Sequence, residues 1–474
     1  MNINKLPPEL IRRICELVPQ KHLPSLAKVS RFFNAISNSL IYQSITLTNS
    51  DKAFTCCRIL ATSSRNLAGC VQTFSIDDFP PWNFTDWHRR QFREWLITSI
   101  RKMANLLHFR CMLIGSFAQD MSLALSRHKS LRSLAISFPH FDPWGDHTHH
   151  PWPEDALKPT FPNLESFAFT YSTSQGPLCP MYLDFVLHIL RTHAPHLRDL
   201  RLPDWLSQDN IHQIFPPDIT LTALTSLTIL HSALDNRITQ RFPNLRSLTF
   251  PKYEDLPTDP LPQDAFPELT HFSGSCLCFK DILVLGRPLR YVFFDGAVLG
   301  MADADIFTQR EPPRWRDIVS AVKRFPRSTG PVRFLRFYVR SFHISSFLKT
   351  KSYLLTLESL VICVRNNVRD VHGLKSLGRK LFKEMPRLHT FLLSDEPYYV
   401  FRGRRFSLAI DEIEQRKILT KWSKHCPTLS RASFTAALIW DRIEGGWVKS
   451  PHLTGITETA PRISGPVSSC FTDC

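Results

Sequence analysis

Glycine is scarce in this chain of 474 residues, 16 in all against 35 prolines, and other absences narrow the reading further. Twelve cysteines occur without a single CxxC pair; lacking two thiolates at that spacing, the sequence implies neither a zinc module nor a disulfide framework. The best candidate for a membrane span, Ile219 to Leu234, is 16 residues long with four threonines, short of the roughly 20 apolar residues a bilayer requires. Lys5, Glu9, Arg12, Arg13 and Glu16 interrupt the first sixteen residues and leave no apolar core for a secretory signal. The expectation is a cytoplasmic or nuclear protein with reduced thiols. Missing too are G-x-S-x-G, G-x-x-x-x-G-K-[ST] and H-E-x-x-H, the motifs of a nucleophile elbow, a phosphate loop and a zinc hydrolase. No enzyme, cofactor or metal is therefore expected.

What is present is 43% hydrophobic and 21% charged, too apolar for wholesale disorder and long enough for more than one folded unit. The 58 Lys and Arg exceed the 42 Asp and Glu, and a cationic surface attracts polyanions by its field alone. That excess is local: residues 311–410 hold 20 basic and 7 acidic residues.

Between residues 5 and 47 apolar side chains recur at helical intervals, at Leu6, Leu10, Ile14 and Leu17, then Leu23 and Leu26, then Phe32, Phe33, Ile36 and Leu40. Pro7 and Pro8 suit a first helical turn, Pro19 a stop, and Ser30 the cap of a third helix running to about Tyr42. A module of about 40 residues has too little private core to stand comfortably alone, so it is expected to lean on a neighbour or a partner. The stretch resembles the F-box: Leu-Pro-x-Glu-Leu-Ile-x-x-Ile at 6–14, Leu17, Leu23, Leu26, Val29-Ser30-Arg31, Phe32, Ile36 and Leu40-x-Tyr42. The resemblance implies docking onto the Skp-family adaptor of SCF (Skp-cullin-F-box) ubiquitin ligases through Leu6, Pro7, Leu10, Ile11, Ile14, Leu17, Leu23, Leu26 and Val29, with Leu6, Pro7 and Ile11 foremost. Intramolecular packing of the three helices is the alternative for the same residues.

From residue 67 onward apolar residues recur at i, i+3 and i+5, often with proline two positions before the first. Pro162-Asn163-Leu164, Pro195-His196-Leu197, Pro243-Asn244-Leu245, Pro267-Glu268-Leu269, Pro386-Arg387-Leu388 and Pro427-Thr428-Leu429 open the clearest copies, and weaker ones start at Val71, Leu106, Leu131, Leu224, Leu289, Val332 and Leu357. The mean spacing is about 30 residues, the signature of a solenoid whose units bury their cores against one another. Helical stretches alternate with these strands at Trp87–Leu107, Met181–Thr192, Trp315–Phe325, Val371–Met385 and Ile410–His425. The pattern predicts an α/β chain, a three-helix module followed by a curved right-handed solenoid. It looks like the irregular leucine-rich repeats that follow the F-box in many fungal proteins. The departure from that family lies eight residues after the first Leu, where Asn or Cys is expected and Ser232, Ala297 and Arg365 stand instead. The expected domains are an F-box at 1–47, a linker helix at 48–66, the solenoid at 67–440 and a mobile tail at 441–474. Residues 139–160, with five prolines, are read as a surface loop.

Within that loop His140, His147, His149 and His150 accompany Asp142 and Asp146, yet their spacing follows no helical or strand face, so surface residues are favoured over a metal site. Cys276 and Cys278 are read as buried thiols sharing a strand face, and Cys56 and Cys57 have no neighbouring ligands. Gly373 to Gly378 carries the two glycines of a phosphate loop without the Lys-Ser/Thr, and is read as helix. In the basic segment Arg333, Arg336 and Arg340 alternate with Phe334, Phe337 and Tyr338, while Arg402, Arg404 and Arg405 form a second knot. Guanidinium forks suit carboxylates and phosphates, which marks these six as candidates for an acidic or phosphorylated target beside the plainer reading of a solvated face. Together with the absence of catalytic motifs, the F-box resemblance implies a non-catalytic receptor that presents an unidentified target to a cullin-RING ligase. A non-ligase scaffold binding nucleic acid or chromatin through 311–410 is the alternative; no membrane partner is expected.

Overall fold

In the computed structural model each of the thirteen repeat starts lies two residues ahead of a β-strand. The structure describes residues 6–76, 86–112, 117–138, 160–171, 180–202, 208–229, 234–250, 261–262, 264–279, 286–294, 313–340, 342, 344–364, 371–395, 410–435 and 438–450. The chain divides into two compact units, 1–205 with 213–219 and 206–212 with 220–474.

The first unit opens with three helices, α1 (Pro8–Glu16), α2 (Leu23–Leu26) and α3 (Arg31–Ile41). Pro7 and Pro8 sit where a helix needs no N–H, and the Ser30 hydroxyl caps α3 by accepting from Phe33 N at 3.2 Å. Strands β1 (Ser44–Leu47), β2 (Thr73–Ile76), β3 (His108–Met112), β4 (Ser133–Phe138), β5 (Ser166–Tyr171) and β6 (Asp199–Arg201) follow. They pair in parallel in that order, separated by α4 (Ser50–Thr62), α5 (Asp86–Lys102), α6 (Phe117–Leu125) and α7 (Pro180–His193) among others.

The second unit continues the pattern with β7 (Ser226–Thr228), β8 (Ser247–Thr249), β9 (His271–Ser273), β10 (Tyr291–Phe294), β11 (Phe334–Val339), β12 (Ser359–Val364), β13 (Thr390–Asp395) and β14 (Arg431–Thr435). These too are parallel neighbours in chain order. Helices Trp315–Val322, Val371–Lys380 and Glu412–His425 fall where the sequence places them.

In each repeat the starting residue and those at i+3 and i+5 turn inward. Leu164, Phe167 and Phe169 are buried, as are Leu388, Phe391 and Leu393. They meet the helices: Phe167 lies against Phe185 of α7, and Phe391 against Trp422. Because strand side chains alternate, positions i+2 and i+4 face away from the helices.

The interior amide ladder that the sequence lacks is replaced by polar residues just before the repeat starts. Asn105, Asn163 and Asn244 donate to the carbonyls of Gly69, Lys129 and Thr222 in the preceding repeat, at 2.7, 2.6 and 2.8 Å. Ser130, Thr356 and Thr428 reach the carbonyls of Leu106, Val332 and Leu388 at 2.9, 2.8 and 2.9 Å. A residue one position before an inward leucine therefore links its repeat to a backbone carbonyl of the one before it.

Three boundaries differ from expectation. Tyr42, Ile45 and Leu47 are a further copy of the i, i+3, i+5 pattern, and β1 pairs with β2 from inside the range assigned to the F-box. The expected linker helix is α4, whose packing partner is the next helix, α5; it is an element of the solenoid. Third, 441–449 belongs to an antiparallel hairpin, β15 (Leu438–Ile443) and β16 (Gly446–Lys449), laid on β14. A tight turn at Glu444 and Gly445 closes it. Two tryptophans dock it, Trp440 Nε1 donating to Gln415 Oε1 at 3.0 Å and Trp447 Nε1 to Ser423 Oγ at 2.9 Å. The hairpin covers the edge that the last parallel strand would expose. The tail residues 451–474 and the loop 139–159 lie outside the described residues. Among the described residues no helix is long and apolar enough to cross a membrane.

One buried charge stitches the irregular second unit. Arg287 is 1% exposed and donates from Nε to the Ala265 carbonyl at 2.7 Å and from Nη2 to that of Pro262 at 3.1 Å. Burial pushes its pKa down to about 10, leaving it protonated at neutral pH. Arg287→Met keeps the apolar stem and abandons both carbonyls, so urea unfolding should show a loss of about 2–4 kcal/mol. A variant as stable as the parent would remove this role.

Buried imidazoles set a pH limit. Desolvation, helped by His188 and His196, pushes His193 down to about 4, and burial does the same to His271. His193 Nε2 accepts from Phe161 N at 3.3 Å, which requires the neutral ring. The unfolded chain takes up protons at these histidines near pH 6.5 while the native chain resists until about 4, so acidification across that window favours unfolding. The melting temperature should be flat above pH 7 and fall between 6.5 and 4, with a shallower fall in His193→Gln.

Candidate interaction surfaces

Helix α1 is apolar on two sides. Ile11 and Cys15 point into a small core with Leu23 and Phe33, against which Leu6, Val18, Leu26, Ile36, Leu40 and Ile41 pack. Leu10, Ile14 and Leu17, spaced by one turn, face solvent at 53, 43 and 77% exposure. Val29 and Phe32, around the start of α3, are exposed as well. A helix that must hide both sides has only one hidden by its own module, and the other is a surface for something else.

This sorts the residues read as adaptor-facing. Pro7, Leu10, Ile14, Leu17 and Val29 are at the surface, and Leu6 and Leu26 are half-buried. Ile11 and Leu23 are buried in the module's own core, so Ile11, one of the three foremost candidates, is placed inside. Phe32, part of the F-box match but not of the adaptor-facing set, belongs to the surface group as well. The module also leans on its neighbour in the chain: α3 packs against the Leu67–Cys70 turn, and Gln43 Nε2 donates to Gln72 Oε1 at 2.9 Å.

The strand face turned away from the helices changes character along the chain. In the first unit its i+2 and i+4 positions are small or polar, as in Thr73 and Ser75, Ser133 and Ala135, Ser166 and Ala168, or Asp199 and Arg201. In the second unit the run Ser226, Thr228, Ser247 and Thr249 gives way to rings. His271 and Tyr291 are register partners stacked at 4.3 Å and 12°. Phe334 follows, with ring centroids 6.4 Å from Tyr291 and 5.0 Å from Phe293. Beyond them Phe334, Val361, Cys363 and Leu392 are buried, with Tyr291, Phe293 and Tyr338 packed partly exposed beside them. The signal was legible, since positions i+2 and i+4 of the Leu289 copy are both aromatic, Tyr291 and Phe293, where the Leu224 and Leu245 copies have Ser and Thr.

The arginines of that segment are not one open cluster. Arg336 is buried, Arg340 is exposed, and Arg333 pairs with Glu358 at 3.6 Å. Arg402, Arg404 and Arg405 lie outside the described residues. Arg336 is thus not the open cation the sequence reading took it for, because the face it shares with Val361 and Leu392 is itself covered.

Among the described residues no group of three or more His, Cys, Asp or Glu is placed to hold a metal; the histidine loop lies outside them. Cys276 and Cys278 are buried, but in a turn after β9 and not on a strand. Gly373 and Gly378 lie on the helix Val371–Lys380, where a Cβ on Gly378 would come within 2.7 Å of Trp422 Cδ1.

A family model for the F-box domain matches residues 3–42. No curated protein matches the chain. Among solved structures, the yeast complex of Rad7 and Elc1 aligns over 90% of this chain and 85% of that one, at 12% identity and a TM-score of 0.35. The leucine-rich-repeat protein LegL7 from Legionella pneumophila aligns over 81% and 100%, also at 12% identity and 0.35.

Proposed function

We propose that this chain, an F-box domain ahead of leucine-rich-repeat-like strand–helix units, is the target-recognition subunit of an SCF-type ubiquitin ligase. The observation that carries the reading is the solvent-facing row Leu10, Ile14 and Leu17, joined by Pro7 and Val29, on a domain of the adaptor-binding kind. In this reading the row seats a Skp-family adaptor, the adaptor joins a cullin-RING assembly, and the repeats hold a target protein. The half-buried rings of His271, Tyr291, Phe293 and Tyr338 mark the proposed place for that target, with exposed Arg340 in the same segment.

No group of this chain enters the transfer chemistry. Holding a target lysine near the E2 thioester raises its effective concentration, which alone accelerates the reaction. The test is co-purification of the full-length chain with a Skp-family adaptor, followed by ligase assembly with the cullin and RING subunits. Retention of both supports the reading, and an intact chain that captures no adaptor overturns it.

A further inference from the structure

The outer side of the last two repeat helices carries a charge feature that neither the adaptor row nor the strand face uses. On the helix Glu412–His425, Lys417, Lys421 and Lys424 follow one another by a turn, and on the neighbouring helix Val371–Lys380 so do Lys375 and Arg379. Lys421 and Lys424 line two adjoining depressions, one running past Lys417 to Ile413, the other bounded by Lys375 and Arg379. Together they form a trough. Lys375 is neutralised by Glu414 at 2.6 Å, and Lys417 sits 3.9 Å from the same carboxylate. Arg379, Lys421 and Lys424 have no carboxylate within ion-pair distance among the described residues. Both acidic residues of the helix, Glu412 and Glu414, are in its first turn, and Glu412 is taken by Lys449 at 2.7 Å. At that end Ile413 is 68% exposed.

We propose that this trough binds an acidic peptide segment of a partner protein, rich in Asp and Glu and carrying one large apolar residue for Ile413. Cations one helical turn apart stand about 6 Å from each other, close to the ~6.6 Å between alternate side chains of an extended chain. Four lysines line the trough beside two arginines, Arg379 and Arg416, and Arg416 lies over the Trp440 ring at 5.3 Å; ammonium groups are point charges suited to single carboxylates, whereas paired recognition of phosphates favours arginine forks. Nucleic acid fits less well. The cationic row spans only about 10 Å of helix, among the described residues no aromatic ring lines the trough for base stacking, and an exposed isoleucine has no use for a phosphate backbone.

The test is fluorescence anisotropy on the full-length chain with three labelled probes: an octaglutamate peptide carrying one leucine, a single-stranded oligonucleotide and a duplex of similar charge. The peptide should bind, more weakly as salt rises. Arg379→Glu/Lys421→Glu/Lys424→Glu should weaken it about thirtyfold and Ile413→Ser about threefold, with melting temperatures near the parent's because all four side chains are exposed. If the reversal variant does not fold, the Gln versions at the same three positions replace it, with about tenfold expected. Absence of peptide binding, indifference to the substitutions, or tighter nucleic-acid binding that ignores Ile413→Ser overturns the proposal. None of these readouts involves the adaptor, so failure here leaves the ligase reading standing, and the reverse.

Discussion

If the proposed adaptor row is right, replacing Leu10, Ile14 and Leu17 together by serine should lower the affinity for a Skp-family adaptor about a thousandfold and leave the melting temperature of the chain nearly unchanged. The size follows from three anchors losing about 1.4 kcal/mol each, a factor of ten apiece. The unchanged stability follows from their exposure, since side chains already in water give up no burial when shortened. Ile11→Ala is the contrasting variant. It empties a core with only four fully buried members, Ile11, Cys15, Leu23 and Phe33, and costs about 2–5 kcal/mol of local stability. Its effect on binding should run through unfolding, and cooling should restore it, whereas the triple variant stays weak at every temperature. Isothermal titration at two temperatures beside thermal melts separates the two. A triple variant that binds like the parent would move the adaptor surface elsewhere.

Trp422→Ala should open the end of the second unit. The ring is fully buried, with centroids 5.0 Å from Phe382, 5.5 Å from Phe391 and 5.1 Å from Phe434, and its Nε1 donates to the Leu374 carbonyl at 3.0 Å. Truncation removes the junction of two helices and two strands together with that hydrogen bond, a combined loss of about 5 kcal/mol. In a repeat chain each unit is supported by its neighbours, so the damage should be local. Hydrogen exchange should show protection collapsing across 371–449 and persisting at β2 to β6. Trp422→Phe should keep most of the packing and lose the hydrogen bond. Uniform loss of protection along the chain would contradict this neighbour-by-neighbour stability.

Most of the strand order was written in the i, i+3, i+5 spacing, because each unit buries an apolar residue two positions before its strand and, in nearly every copy, two more on the strand's inward face. The copy at Tyr42, Ile45 and Leu47 escaped because the same residues also close the F-box pattern, so one stretch serves two modules. The hairpin after β14 escaped for a different reason: its tryptophans find their partners, Gln415 and Ser423, more than twenty residues back in the chain.

The sequence by itself determined the two-part organisation, the helical module and the register of thirteen repeats, since each depends on spacing between residues close along the chain. Only the tertiary structure decided which apolar residues of α1 are core and which are surface. Leu10 and Ile11 are neighbours of one hydrophobic character, and the difference between them comes from Phe33, twenty-two residues on, closing over one side of the helix and not the other. Charge followed the same rule. The basic excess of 311–410 was legible as a count, but burial of Arg336 and the pairing of Arg333 with Glu358 depend on strands stacked alongside. The cations with no carboxylate in ion-pair distance among the described residues, Arg379, Lys421 and Lys424, are identified only when two helices from successive repeats come to lie side by side.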